Sequence, residues 1–159
     1  MGAQAKVRLI FQVRRSAEGN PNEIVFQNHN NNDQEITIGL REYEMSYIRH
    51  TTFDKDSFIM TLPVALCQVL AYLNSARIER IEIGIDQGSP LKARVTLLKD
   101  NDYIYFDCHI FEGVAIASAL GVQVFMEKEL FLSIIEQQKQ VKVIQIFAQS
   151  DIHNPRRLM

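Results

Sequence analysis

The chain has 159 residues, 47% of them hydrophobic and 23% charged, with a formal net charge of −2 and a pI near 6.1. This length favours a single domain with a substantial core. The charge balance excludes the overall basic excess that is usual in proteins that hold long nucleic acid by neutralising its phosphates, but it leaves room for local basic patches.

The first part of the chain has the pattern of β-strands. Lys6–Arg14 alternates apolar and polar residues, which is typical of a half-buried strand. Two further strands are predicted at Glu23–Gln27 and Glu35–Gly39, with the polar loop Asn28–Asp33 between them.

Two helices are predicted next. Arg41–His50 has an apolar face at helical spacing, and Leu62–Ala76 carries a longer apolar stripe of the kind that packs on a core. Pro63 stands in the first turn of the second helix, where the missing N–H has no helical partner to lose.

The remaining segments alternate between strand and helix patterns. Strands at Ile78–Asp86, Leu91–Lys99 and Tyr103–His109 are separated by the turn-rich sequences DQGSP and KDND, which indicates an antiparallel meander. The later segments are predicted as helix Glu112–Leu120, strand Val122–Met126, helix Lys128–Gln138 and strand Val141–Phe147.

These elements predict one α+β domain over residues 1–149, with a mixed, largely antiparallel sheet and about four helices packed on it. Residues 150–159 lack periodicity and are expected to form a mobile tail. The last predicted strand, VKVIQIF, is apolar and would leave a bare edge. We therefore expect it to pair within the sheet or across a homo-oligomer interface, most simply in a homodimer.

The N-terminal segment alternates in polarity, unlike a signal peptide, and no apolar run approaches the roughly 18 residues that cross a bilayer. Cys67 and Cys108 have no neighbour at metal-ligand or redox-motif spacing, which is typical of buried thiols in a reducing compartment. Together these features predict a cytoplasmic protein with no membrane contact.

Candidate functional residues lie where the third strand of the meander meets the following helix. Alternation puts Asp107 and His109 on one side of the strand, roughly 6.5 Å apart, together with Tyr103 and Tyr105. Glu112 falls at the start of the helix, where a carboxylate is favoured by the helix dipole. The three polar groups could bind a metal or move a proton, or they could form only the polar rim of the junction. The two tyrosines could stack on bases, or pack at a sheet edge or subunit interface.

The same junction carries a resemblance to a known family. DCHIFEGVAIA, which begins at Asp107 and is followed by Gly121 and VQVFM, resembles the strand–helix–strand signature of the bifunctional nuclease family, a DNase/RNase domain of bacteria and plants. That signature has Asp-x-Arg-x-Ser-Asp-Ala-Ile-Ala-Leu-Ala, then Gly and a Pro-Ile-Phe-Val strand. ITIGLREYE is similar to the family's Ile-x-Ile-Gly-x-x-Glu segment, and two intervening segments also match in order. The likeness covers about Glu35–Leu132.

The resemblance implies cleavage of DNA and RNA with a divalent cation, Mg²⁺ or Mn²⁺, and thus nucleic acid as a partner. By position it implies Asp107 and Glu112 as metal ligands, with Glu42 and His109 as further catalytic residues. Carboxylates suit such cations, and an imidazole can transfer a proton. The chain departs from the signature at several positions: His109 replaces Arg, Phe111 replaces Ser, Glu112 replaces Asp, and Leu62-Pro63 replaces a His-Asp pair.

Two functions therefore remain open. One is a metal-dependent nuclease, and the other is a non-catalytic, oligomeric binding or regulatory module that retains the same fold. Convergence of the Asp107, Glu112 and Glu42 carboxylates to within roughly 5 Å would favour the nuclease, because they could then share one cation. Filling of that space by Phe111 and Leu62 would favour the binding module.

Overall fold

The computed structural model describes residues 5–14, 22–52, 69, 76–84 and 91–152. The alternating segments form one sheet of seven strands, and the described residues also form three helices. The strands are β1 (Lys6–Arg14), β2 (Asn22–Asn28), β3 (Asn31–Leu40), β4 (Arg77–Gly84), β5 (Lys92–Lys99), β6 (Asp102–Cys108) and β7 (Val124–Glu127). The helices are α1 (Glu42–Thr52), α2 (Ile110–Leu120) and α3 (Lys128–Ile152).

The strand order is β3-β2-β1-β7-β4-β5-β6. Two antiparallel three-stranded units, β1-β2-β3 and β4-β5-β6, are joined through the four-residue strand β7. β7 pairs antiparallel with β1 and parallel with β4. The predicted α+β class, the mixed and largely antiparallel sheet, and the meander of β4, β5 and β6 are thus confirmed.

The hairpin between β5 and β6 is closed by two residues, Asp100 and Asn101, with φ angles of 49° and 68°. Asp and Asn enter this left-handed region more readily than other non-glycine residues, and two such residues in succession suit the tight turn of a hairpin. The turn sets the register in which Lys99 is opposite Asp102, and every other cross-strand pair between the two strands follows from it.

The core lies on one face of the sheet. Ile81, Ile83, Ala93 and Val95 alternate along β4 and β5 and are all but fully buried. Helix α2 packs closely on this face, because a Cβ atom added to Gly113 would lie 2.5 Å from the Cβ of Ala93. Only glycine allows this approach without a shift of the helix or the strand.

Helix α3 contributes Phe131 and Ile134 to the same core. Further along the helix, Gln138 reaches β3, the first edge strand of the sheet. Its amide accepts a hydrogen bond from the Thr37 N–H at 3.0 Å and donates one to the Thr37 carbonyl at 2.7 Å. One side chain thus satisfies both backbone groups of an edge residue.

The prediction of a strand at Val141–Phe147 is wrong, because α3 continues without a break to Ile152. The segment EQQKQ before it consists of good helix formers and contains neither Gly nor Pro, so nothing ends the helix there. The edge that this strand was expected to leave open therefore does not exist.

Other predictions lie beyond the described part of the chain. Of the predicted helix Leu62–Ala76, only Val69 and Ala76 are described. About four helices were expected, and the described residues form three. The predicted tail is described only as far as Ile152, where α3 ends. Within the described ranges, no helix is both long and apolar enough to cross a membrane.

Candidate functional site

The face of the sheet opposite α2 carries charged side chains, because polar and apolar residues alternate along much of β4, β5 and β6. They line a cleft of about 320 Å³, which we call the charged cleft. Its charged residues are Lys6, Glu82, Lys92, Arg94, Asp107 and Glu127. The cleft is bounded on one side by Leu130, near the start of α3.

Asp107 is held by two cations of the neighbouring strand. Arg94 lies directly opposite it in the β5–β6 register and donates through Nε at 2.8 Å and Nη2 at 3.2 Å to the two carboxylate oxygens. Lys92 Nζ lies 2.9 Å from Oδ2. These hydrogen bonds, first from Arg94 and then from Lys92, hold the pKa of Asp107 far below its usual range. The carboxylate is therefore ionised over the whole physiological range.

Glu82 forms a second such centre on β4. Its Oε1 lies 2.6 Å from Lys6 Nζ and 2.6 Å from Arg80 Nε. Burial raises the pKa of this carboxyl, but the hydrogen bonds and charges of Lys6 and Arg80 outweigh that effect together, and the net pKa is lowered. The cleft thus contains two carboxylates that each bridge two cations.

His109 lies just beyond the end of the strand that carries Asp107. β6 ends at Cys108, and His109 is the extended residue that precedes α2, so the strand alternation stops one residue before it. Its ring stacks on Phe111, with centroids 5.5 Å apart and planes at 7°. Phe111 in turn packs edge-on against Tyr43 and Tyr47 of α1, at 6.0 Å and 5.1 Å. Phe111 thus fills the space between α1 and α2.

Glu112 stabilises the start of α2. Its Oε2 accepts a hydrogen bond from the backbone N–H of His109 at 3.0 Å, in the manner of a capping box. Glu44 does the same for α1, accepting from the backbone N–H of Arg41 at 2.9 Å. Glu42, the predicted catalytic residue beside it, accepts a hydrogen bond from Asn22 Nδ2 at 3.1 Å.

The predicted metal ligands therefore have other partners. Within the described residues, no group of three or more His, Cys, Asp or Glu side chains is placed to hold a metal ion. Asp107 accepts from cations through both oxygens, and Glu112 accepts from a backbone N–H. In this arrangement each of the two carboxylates is already engaged within the protein, so a bound cation would have to displace these partners. Leu62, the second residue expected to fill the space, lies outside the described residues, and the divalent cation stays a prediction.

The sequence interpretation missed the cations of the site. Lys92 and Arg94 alternate within LKARV and therefore share one strand face, a signal that was present. What the sequence could not show is that Arg94 is opposite Asp107, because that depends on the register set by the Asp100–Asn101 turn. Lys6, far away in the chain, reaches the site only through the pairing of β1 with β7.

No protein-family model matches this chain, and no curated protein matches it either. Its relation to the bifunctional nuclease family therefore stays a prediction from the signature.

Proposed function

We propose that the protein binds the phosphodiester backbone of a nucleic acid in the charged cleft, as a non-catalytic binding module on a fold of the bifunctional nuclease type. One observation carries the proposal: two cations, Lys92 and Arg94, are held by a single carboxylate, Asp107, on the wall of a cleft.

The geometry of Arg94 suits a phosphate. The guanidinium already donates two roughly parallel hydrogen bonds to the two oxygens of Asp107. Arginine binds two phosphate oxygens with the same fork of donors, and lysine adds a point charge. A phosphate can therefore replace the Asp107 carboxylate while β5 keeps its position.

The charges of the cleft set the strength of such binding. Three cations, Lys6, Lys92 and Arg94, are balanced by three carboxylates, Glu82, Asp107 and Glu127. A phosphate must compete with Asp107 for its cations, so we expect weak binding, and because only these three cations can take part, its affinity should fall only moderately with salt. For the same reason, removal of the charge of Asp107 should strengthen it.

This proposal is tested by fluorescence anisotropy with labelled single-stranded RNA and DNA at low and moderate salt. We expect Arg94→Gln to weaken binding about tenfold, the scale of one charge-assisted contact, and Asp107→Asn to strengthen it several-fold. Arg77→Gln is the matched control, because Arg77 pairs with Glu79 on β4 but does not line the cleft. Equal losses in Arg94→Gln and Arg77→Gln, or no gain in Asp107→Asn, would contradict the proposal.

A second candidate is the metal-dependent nuclease that the resemblance implies. It is favoured by the position of Asp107, which matches the first Asp of the signature and whose side chain is 32% exposed at the cleft. A divalent cation would neutralise charge on the phosphate and activate water. In this candidate Asp107 and Glu112 are the ligands, and Glu42 and His109 are the further catalytic residues.

The two candidates differ in their response to metal and to two substitutions. Wild-type protein, Asp107→Asn and Glu112→Gln would each be incubated with RNA and plasmid DNA in Mn²⁺, Mg²⁺ or EDTA. Gln at 112 keeps an acceptor for the His109 N–H, so α2 keeps its start while the charge is lost. Cleavage that requires metal and vanishes in both variants would establish the nuclease, whereas binding without cleavage in any protein would establish the binding module.

A further inference from the structure

β6 forms the second edge of the sheet, since among the described strands it pairs with β5 alone. Three successive large residues stand exposed along it: Tyr103 at 54%, Ile104 at 48% and Tyr105 at 55%. Exposed edge strands are usually protected by Lys, Pro, a bulge or a covering segment. In DYIYFDC the two charged residues, Asp102 and Asp107, lie on either side of the run YIYF, which contains no charge and no Pro, and the β5–β6 register is continuous.

The backbone of this edge is positioned to pair with another strand. A two-residue turn closes on a hydrogen-bonded pair, here Lys99 and Asp102, and hydrogen-bonded pairs alternate along an antiparallel ladder. It follows that Ile104 directs its N–H and C=O toward β5. Tyr103 and Tyr105, one residue to either side, direct theirs away from the sheet.

We propose that β6 pairs antiparallel with β6 of a second copy of the chain, around a twofold axis that passes through Ile104. In this register Tyr103 lies opposite Tyr105 of the second copy. By symmetry, Tyr105 lies opposite Tyr103 of the second copy. Ile104 lies opposite itself. The interface is isologous, as a twofold requires, and the two sheets become one.

The occupant is a second copy because the pattern of β6 complements itself. A twofold axis perpendicular to the sheet keeps equivalent faces on the same side, so residues that lie opposite each other must come from the same face. Tyr103 and Tyr105 share the charged face, and Ile104 is on the other. The register thus gives two aromatic pairs and one aliphatic pair, the kinds of cross-strand contact that stabilise sheets.

Charge also agrees with this register. Asp107 falls opposite Asn101 of the second copy, and Asp102 falls opposite Phe106, so no two carboxylates are opposed. Like charges directly opposite each other would destabilise the pair.

The strength of the contact follows from its size. Aromatic side chains bury roughly 150–250 Å² each, so four half-exposed tyrosines supply about 400 Å², and the strand backbones and Ile104 add to it. Interfaces below about 1,200 Å² belong to the weak class. We therefore expect a dimer that forms reversibly with concentration. This inference does not depend on the nucleic-acid proposal.

The register is tested by disulfide cross-linking. Directly opposed residues lie about 4.5–5.5 Å apart between Cα atoms, within reach of a disulfide, whereas diagonal neighbours lie about 7–8 Å apart and are out of reach. An equimolar mixture of Tyr103→Cys and Tyr105→Cys should form at least about fivefold more cross-linked dimer than either variant alone, because only the mixed pair is opposed. Ile104→Cys alone should cross-link at least as well as the mixture, because every dimer of this variant has the opposed pair, whereas only about half of the dimers in the mixture contain one chain of each variant. The wild-type chain, which keeps Cys67 and Cys108, gives the background.

Sedimentation velocity over a range of concentrations tests the dimer itself. Wild-type protein should dimerise, Ile104→Lys should remain monomeric, and Ile10→Lys should behave like wild type. Ile10 is the matched control because it is exposed to 40% but lies on β1, between two other strands.

The two experiments can each contradict the proposal. If Tyr103→Cys or Tyr105→Cys alone cross-links as fast as the mixture, the register is overturned. A wild-type monomer at every concentration, or an oligomer unchanged by Ile104→Lys, would overturn the dimer. A monomer whose affinity for RNA falls in Tyr103→Ala would also overturn it and assign the tyrosines to base stacking.

Discussion

The two edges of the sheet, β3 and β6, are protected in different ways. β3 begins with the polar run NNDQE, and Gln138 of α3 bonds both backbone groups of Thr37. β6 has the exposed run Tyr103 to Tyr105 and is bonded only on its β5 side among the described strands. One edge is therefore closed by the chain itself, and the other is available to a second molecule.

The difference shows what an edge strand needs. A primary amide carries a carbonyl oxygen and an NH₂ group in one plane, so it offers an acceptor and a donor side by side, and a single Gln138 can replace one unit of a neighbouring strand. To satisfy the backbone groups of an edge residue in this way, a helix needs only one such side chain at the matching position along the strand. Nothing comparable lies along β6 within the described part of the chain, where aromatic side chains replace polar ones.

The largest effect is expected from the packing of α2 on β5, the strand that pairs with β6. Gly113→Ala would place a Cβ atom 2.5 Å from that of Ala93, so α2 or β5 must shift. We expect a loss of about 2–3 kcal/mol in the free energy of unfolding, as for overpacked cores. Urea denaturation checks this value. Gly39→Ala is the control, since nothing lies within 4 Å of its added Cβ, and an equal loss in the two variants would contradict the packing argument.

A smaller loss of stability is expected from a substitution that affects the β3 edge and not the β6 edge. Gln138→Ala removes both hydrogen bonds of Thr37 and exposes the backbone of β3. We expect a loss of about 1–2 kcal/mol, the sum of two ordinary hydrogen bonds. Amide hydrogen exchange should accelerate in β3 and remain unchanged in β6. Faster exchange in both strands would show that Gln138 stabilises the whole sheet and has no special role at this edge.

The smallest effect concerns β6 and depends on pH. Because its pKa lies below the ordinary value of about 3.9, the ionised Asp107 stabilises the folded protein fully at pH above about 4, and this contribution falls away as the pH drops further. The expected loss is below about 1 kcal/mol, as for exposed ion pairs. Urea denaturation from pH 6 to pH 2.5 should show a steeper decline for wild type than for Asp107→Asn. Parallel curves would mean that Asp107 contributes nothing through its charge.

Much of the fold could be predicted from local pattern, and the exceptions have physical causes. A strand was predicted at each of the seven positions, and alternation placed Asp107 with Tyr103 and Tyr105 on one face, but β3 begins at Asn31, inside the segment Asn28–Asp33 that was predicted as a loop. The same alternation in VKVIQIF was misleading, because β-branched residues also enter a helix when strong helix formers precede them. The strand propensity of these residues was outweighed because they directly continue the helix α3.

The candidate site was less predictable because it depends on pairs that are distant in sequence. Asp107 was identified from the signature, but its partners Lys92 and Arg94 follow from strand register. The predicted strand Tyr103–His109 was one residue too long at its end, because His109 is the residue that precedes α2 and local pattern does not fix such a boundary. Glu112 was correctly located at the helix start. Its hydrogen bond to the backbone of His109 was not predicted, because it depends on the three-dimensional geometry of the helix cap.

The position of β7 has a consequence for how the chain folds during synthesis. This strand alone joins β1, near the beginning of the chain, to β4 on its other side. When β1, β2 and β3 have left the ribosome, they can form a hairpin unit, but their open side must wait until Val124–Glu127 has been made. Contacts between such distant segments close slowly, because the loop entropy is lost before they form. The edge of β1 that pairs with β7 is therefore open for most of synthesis, and an unpaired strand edge is a site at which a nascent chain can aggregate.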